Sequence, residues 1–259
     1  MKRRIYTEDH EAFRASAREF VDREVRPRME EFVEARAIAR DIWIEAGKQG
    51  LLGLEIPEEY GGSEAGDYRF NAVLGEEFAR VSASVSSCLG IHADVVAPYL
   101  RDLCTEEQKQ RWLPRFCTGE LVTAIAMTEP SGGSDLAALK TTAVRDGDMW
   151  VLNGSKTFIT NGYSADLILV AARTSPEKGA KGITLFGVEA GMPGQGLRSH
   201  RLAVADVPRH QRAQQLPCAR VVADVGGAGA CHADVVSAAP AARKRYRSGA
   251  RSRHNARRC

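Results

Sequence analysis

Apolar residues recur at helical spacing through the first half of the chain. Phe13, Ala17, Phe20 and Glu24 fall on one side of a helix, and Val21 and Val25 widen its apolar stripe. Thr7 is a natural N-cap for it, with Glu8 and Asp9 in the first turn, where the helix dipole favours acids. Pro27 should disturb or end the pattern. A second helix is predicted over Ala39 to Gln49, with Ile42 and Ala46 on one face. Gly50 and Gly53 then punctuate the chain, and Pro57 to Gly62 reads as a loop. Two apolar helices follow, Phe70 to Val81 and Val85 to Leu103. The run Thr105-Glu-Glu-Gln108 is a capping box for a helix to about Phe116, closed by Gly119.

From Leu121 the period changes to that of strands. Leu121 to Met127, Thr142 to Val144, Trp150 to Leu152, Phe158 to Thr160, Leu167 to Ala172 and Ile183 to Val188 are predicted strands, and Gly147-Asp148, Asn153-Gly154 and Asn161-Gly162 read as turns between them. The fold class expected is therefore α+β: an all-helical domain over residues 1–120 leads into an antiparallel β domain over 121–194.

Composition changes that picture at one place. Residues 195–259 hold thirteen basic side chains against three acidic ones, a net charge of +10, which leaves −7 for residues 1–194 of a chain whose total is +3. The same stretch has no Ile, Phe, Trp or Met. Low hydrophobicity with high charge predicts a disordered basic tail. No apolar run approaches the length of a membrane span, and the charged N-terminus lacks the apolar stretch of a secretory signal, so a cytoplasmic protein is expected. The six cysteines have no metal-like spacing and read as reduced, structural thiols.

The candidate chemistry lies in Ala126-Met-Thr-Glu-Pro-Ser-Gly-Gly-Ser-Asp135. A strand runs into a loop whose paired glycines let backbone approach a ligand, with hydroxyls at Thr128, Ser131 and Ser134 suited to an anion or a polar ring edge. An ordinary strand-to-strand loop has the same spacing. The wording of the loop, however, resembles a signature of the acyl-CoA dehydrogenases. So does Asn153-Gly-Ser-Lys-Thr-Phe-Ile-Thr-Asn-Gly162, and so do Gly50 to Gly62 and Thr105 to Pro114, in the family's order and spacing over roughly residues 8–194.

The resemblance implies FAD as cofactor, an acyl-CoA as substrate, and α,β-desaturation of the thioester with hydride transfer to the flavin, as in fatty-acid metabolism. It implies that Ile125, Ala126, Met127, Thr128, Gly133 and Ser134 line the flavin. Ser134 would also face the acyl-CoA, Phe158 and Ile159 would lie against the ring, and Thr160 would sit near the hydride-accepting atom. A related flavin oxidase would share these residues. The resemblance further implies a homo-oligomer and an electron acceptor whose identity the residues do not give; a membrane partner is not expected.

The family's base is a Glu of a C-terminal helical domain, yet no Glu follows Glu189, so no catalytic base is assigned. The change of composition after Gly194 reads as out-of-frame translation of a GC-rich gene, which would make this chain a non-catalytic remnant. A genuine basic tail that binds nucleic acid is the weaker reading, because the segment lacks interleaved aromatics.

Overall fold

Thr7 caps the first helix as its sequence requires: His10 Nδ1 accepts from the Thr7 N–H at 3.2 Å and lies 2.6 Å from its hydroxyl. The computed structural model describes residues 5–147, 149–192, 195–198, 201–204 and 220–224. Helix α1 (Glu8–Phe20) does not stop at Pro27. It passes through a π-helical turn at Val21–Val25 and a 3₁₀ turn at Arg26–Arg28 into α2 (Met29–Ala35). Proline removes one N–H and crowds the carbonyl four residues earlier, and the wider π turn just upstream absorbs both.

Helices α3 (Arg40–Lys48), α4 (Arg69–Ala79) and α5 (Ala83–Gly90) bury Ile42, Trp43, Ala46, Val73, Phe78, Val85 and Leu89. Buried Glu77 of α4 accepts from Arg14, Arg18 and Arg80, which ties α1 to α4. A second π turn, Ile91–Val96, continues α5 into α6 (Ala97–Leu103), and α7 (Glu106–Cys117) completes the helical layer. The Thr105 capping box is formed, with Thr105 N–H donating to Gln108 Oε1 at 3.0 Å and Gln108 N–H to Thr105 Oγ1 at 3.4 Å. No described helix is long and apolar enough to cross a membrane. Of the cysteines, Cys88, Cys104 and Cys117 are free thiols, and burial pushes the last two up to about 12; the other three lie outside the described residues.

The sheet follows with β1 (Thr123–Ala126), β2 (Thr142–Asp146), β3 (Met149–Thr157), β4 (Leu167–Arg173) and β5 (Ile183–Glu189). Strand β4 is buried along nearly its whole length and pairs antiparallel with β5. Its other edge is shared: β1 runs parallel to Leu167–Val170, and β2 meets it, again parallel, at Arg173. The sheet is therefore mixed, not purely antiparallel, because the chain makes a β2–β3 hairpin before it returns as β4. The turn signals contain no trace of that crossover.

Two local readings change as well. Asn153-Gly154 is not a turn but lies inside β3, where a Cβ on Gly154 would stand 2.3 Å from Thr141 Oγ1. That glycine serves close strand approach. The strand expected over Phe158 to Thr160 ends instead at Thr157. Past Gly194, where the residue pattern gives no strand signal, the backbone still pairs as β6 (Gln195–Arg198), β7 (Arg201–Val204) and β8 (Arg220–Asp224), giving the order β6-β7-β3-β2-β4-β5-β8. The rest of the expected basic tail lies outside the described residues.

Apolar side chains of α6 and α7 pack on Leu167, Leu169, Ala171 and Leu185, so one core joins the helices to one face of the sheet. A separate core on the other face holds Ala126, Leu152, Ile168, Val170 and Phe186.

Candidate functional site

Strand β1 leaves the edge of β4 at Ala126, and the chain returns to that same edge at Thr142. Everything between is an excursion whose two ends must be fixed. Glu129 fixes them. Its N–H donates to Gly132 O at 2.9 Å, and Gly132 N–H donates back at 3.0 Å, which makes a tight turn over Pro130-Ser131. Its carboxylate is 5% exposed and accepts from Lys140 N–H at 2.6 Å, Thr141 N–H at 2.8 Å, Thr141 Oγ1 at 2.5 Å and Lys156 Nζ at 2.9 Å. Burial alone would raise this carboxyl. The Thr141 hydroxyl, the two N–H groups and Lys156 outweigh it and bring it down to about 2.

Lys156 is wholly buried in β3, and its ammonium also donates to Met127 O at 3.0 Å. Thr157 N–H donates to Thr128 O at 2.9 Å. These bonds bring the end of β1 against the end of β3. They join the two segments that the sequence singled out, although 27 residues separate Glu129 from Lys156.

The residues expected at the site then fall as follows. Met127 and Thr128 stand at the junction, partly buried, and Gly133 is close enough that a Cβ there would lie 3.4 Å from Thr128 Cγ2. Ser134 is exposed beside it. Ile125 is partly buried and packs toward the helices, whereas the Ala126 side chain is fully buried in the sheet core, so Ala126 can offer a ligand only its main chain. Ile159 leans on the sheet core and Thr160 is half-buried. Among the described residues the N–H groups of Gly133 and Ser134 and the hydroxyls of Thr128, Ser134 and Thr160 have no hydrogen-bond partner.

Phe158 stands out. Its φ is 57° and its side chain is 80% exposed. A bulky residue in the left-handed region is strained, and such strain clusters at functional sites. The corner that imposes it is rigid: Gly162 N–H donates to Ile159 O, and Asn161, also at positive φ, donates from Nδ2 to Cys88 O at 2.8 Å and Thr123 O at 3.2 Å. The arrangement is a bare aromatic ring beside unfilled polar groups, suited to stacking on a flat heteroaromatic ligand and bonding its edge. FAD has that shape and chemistry, so the residues present fit it.

Glycine tolerates this backbone at no strain. Replacing Phe158 relieves about 1–2 kcal/mol, partly offset by the roughly 0.5–1 kcal/mol of extra chain entropy that glycine brings to the unfolded state. Phe158→Gly is therefore expected to hold or raise the melting temperature. A fall of several degrees would show that the ring is a packing residue.

Sequence reasoning missed the Glu129–Lys156 clamp. The available signal was a single lysine in one segment and a glutamate in the other. Cys88, to which the corner is tied, lies on α5, and α4, α5 and the following π turn enclose a cleft of about 270 Å³. Its walls include Leu74, Phe78, Leu89, Ile91 and Asn71.

Known proteins resemble this chain in sequence and in fold. Residues 7–120 match the family model for the acyl-CoA dehydrogenase N-terminal domain, and residues 124–212 match that for the acyl-CoA dehydrogenase middle domain. The chain is 44% identical over 210 residues to the mitochondrial long-chain specific acyl-CoA dehydrogenase of Rattus norvegicus, covering 78% of this chain and 47% of that protein. It is 45% identical over 193 residues to a cyclohex-1-ene-1-carbonyl-CoA dehydrogenase of Geobacter metallireducens, covering 73% and 49%.

Among solved structures, an acyl-CoA dehydrogenase from Geobacillus kaustophilus superposes with a TM-score of 0.77 at 40% identity, over 87% of this chain and 60% of that one. A glutaryl-CoA dehydrogenase from Mycobacterium smegmatis in complex with FADH2 superposes with a TM-score of 0.74 at 27% identity, over 87% and 58%. The chain spans about half the length of the curated relatives it matches.

Proposed function

The chain belongs to the acyl-CoA dehydrogenase family, and from that premise we propose that the β1–β3 corner binds FAD and serves the α,β-desaturation of an acyl-CoA thioester. The observation that carries the reading is the meeting of Thr128 with Thr157, which presents the strained, exposed Phe158 ring beside Gly133 and Ser134.

Met127, Thr128, Gly133 and Ser134 would hold the cofactor from one side, and Phe158, Ile159 and Thr160 from the other. FAD, when bound, accepts the hydride that leaves Cβ as Cα loses a proton. The chain's own residues supply position and polarity. Phe158 offers a face for stacking, the Thr128 and Thr160 hydroxyls bond a ring edge, and the Gly133 and Ser134 N–H groups face an anionic or carbonyl oxygen. The apolar cleft on α5, tied to the corner through Asn161, takes the acyl chain.

Glu129 is not the base. Four donors hold it ionised down to about pH 2, so it gains little by taking a proton. A second reading rests on one observation, that no Glu follows Glu189: the chain as it stands holds FAD without turning over substrate.

The test is to reconstitute the chain with FAD, remove free flavin by gel filtration, and follow acyl-CoA oxidation with an artificial electron acceptor. Retained flavin with turnover supports the first reading. Retained flavin without turnover supports the second, and no retained flavin sinks both. Phe158→Gly is expected to lose flavin affinity by about tenfold, the worth of one aromatic stacking contact.

A further inference from the structure

Phe158 keeps a φ of 57° although little touches its ring, which is 80% exposed. Its own packing does not hold it in the left-handed region, so the strain has to be imposed by the chain on either side. Upstream, β3 ends at Thr157, whose N–H donates to Thr128 O at 2.9 Å. Downstream, the corner is tight: a Cβ on Gly162 would stand 3.0 Å from both the Cβ and the carbonyl oxygen of Ile159. The hydrogen bonds that fix this corner to other elements come from the Asn161 amide, which donates to Cys88 O at 2.8 Å and to Thr123 O at 3.2 Å. Carbonyls only accept, so the amide nitrogen faces them. Both acceptors are held in turn. Cys88 lies on α5 between two residues of the cleft wall, Ser87 and Leu89, and the Thr123 N–H donates to buried His92 at 3.2 Å. Asn161 itself has φ 62°, a value that asparagine accepts far more readily than phenylalanine. It bears the left-handed backbone at little cost and passes the constraint back to Phe158.

We propose that Asn161 is a positioning residue of the flavin site: its amide anchors the corner to α5 and β1, holds Phe158 in the left-handed region, and so presents the ring already oriented for stacking. The inference rests on the reading that FAD binds at this corner. A contact ordered in advance adds more to affinity than one that has to be ordered on binding.

The test is a double-mutant cycle on the full chain, read by the Kd for FAD from flavin fluorescence and by the melting temperature without ligand. Asn161→Gly deletes the amide while leaving the left-handed backbone at residue 161 unstrained. Alone it is expected to weaken FAD binding about tenfold, approaching the loss in Phe158→Gly. In the Phe158→Gly background it should weaken binding by less than about twofold, because the ring through which it acts is gone. The melting temperature separates this role from simple bracing. Asn161→Gly removes two hydrogen bonds but releases the strain at Phe158. It should therefore lower the melting temperature less with Phe158 present than in the Phe158→Gly background, where no strain remains to be released.

Should Asn161→Gly not fold, Asn161→Asp carries the same comparison, since aspartate also accepts this backbone and turns the donor into an acceptor. An Asn161 substitution that leaves FAD affinity unchanged, weakens it equally in both backgrounds, or lowers the two melting temperatures equally overturns the positioning role and leaves FAD at the corner. A wild type that does not bind FAD, or a Phe158→Gly chain that binds it as well as wild type, overturns the FAD reading of the corner, and the inference with it.

Discussion

Replacing Lys156 with methionine is expected to destabilise the chain by roughly 3–5 kcal/mol, the range for breaking a buried ion pair from one side, and to abolish flavin retention. The ammonium is fully buried and holds two different pieces of chain, the Met127 carbonyl at the end of β1 and the Glu129 carboxylate at the loop entrance. Methionine fills similar volume but leaves Glu129 with its charge in a desolvated position and only the Thr141 and Lys140 donors to balance it.

Domains of this kind are stable by about 5–15 kcal/mol in total, so such a loss is visible in any urea melt. The double variant Lys156→Met, Glu129→Gln removes the stranded charge and should cost less than the two single losses combined. The pH dependence follows from Glu129. Its folded value is held near 2, below the unfolded carboxylate, so its contribution is fully present above about pH 4.5 and disappears as pH falls toward 2. The gap between wild type and Lys156→Met should therefore stay constant across neutral pH. A loss under about 1 kcal/mol, no more than an exposed pair is worth, would show that the clamp is not what shapes the corner.

Sequence legibility followed the range of the interaction. The N-cap at Thr7 and the capping box at Thr105 were readable because such signals lie within three residues of the helix start, and the helical stripes because period and burial agree. Gly154 misled because glycine has two uses. The sequence shows a turn-capable pair at Asn153-Gly154, but the glycine exists for Thr141, a neighbour only once β2 and β3 have paired.

The parallel run of β1 along β4 was invisible for the same reason, since 40 residues without an α-helix separate two strands with ordinary strand composition. At the site, spacing alone gave an unremarkable Gly/Ser loop, and the family wording of the two segments singled it out. Neither reading contained the strain at Phe158, which is a property of the corner locked by Asn161.

His92 should make folding stability fall by about 2 kcal/mol between pH 7 and pH 5, at most one proton per molecule and so about 1.4 kcal/mol per pH unit. The ring is completely buried where the π turn Ile91–Val96, α7 and β1 meet, stacked on Phe116 at 3.9 Å between centroids and edge-on to Trp43. Thr123 N–H donates to Nδ1 at 3.2 Å, so the ring proton is on Nε2, where it donates to Phe116 O at 3.2 Å.

A second proton would have to sit on Nδ1, against the Thr123 N–H, in a wholly buried site. Burial first, with Arg40 adding to it and the Phe116 carbonyl opposing, pushes the imidazole down to about 3 from its ordinary 6.5. The sign follows. The folded state binds the proton less readily than the unfolded chain, so the neutral ring's contribution is whole above pH 6.5 and is progressively lost below it, down to about pH 3. Between pH 7 and pH 5 the depressed carboxylates Glu77 and Glu129, both near 2, do not titrate and add nothing to that slope. His92→Gln should be less stable than wild type at pH 7 by about 1–3 kcal/mol through imperfectly met hydrogen bonds, yet show little slope from pH 7 to pH 5. The two melting curves would then converge on acidification. Parallel curves would mean that the slope belongs to other groups, and a flat wild-type curve would mean that the buried ring accepts its proton after all. Because this one side chain joins the helical layer to the strand that carries the flavin loop, flavin retention at pH 5 should fall with the stability, and it should do so less in His92→Gln.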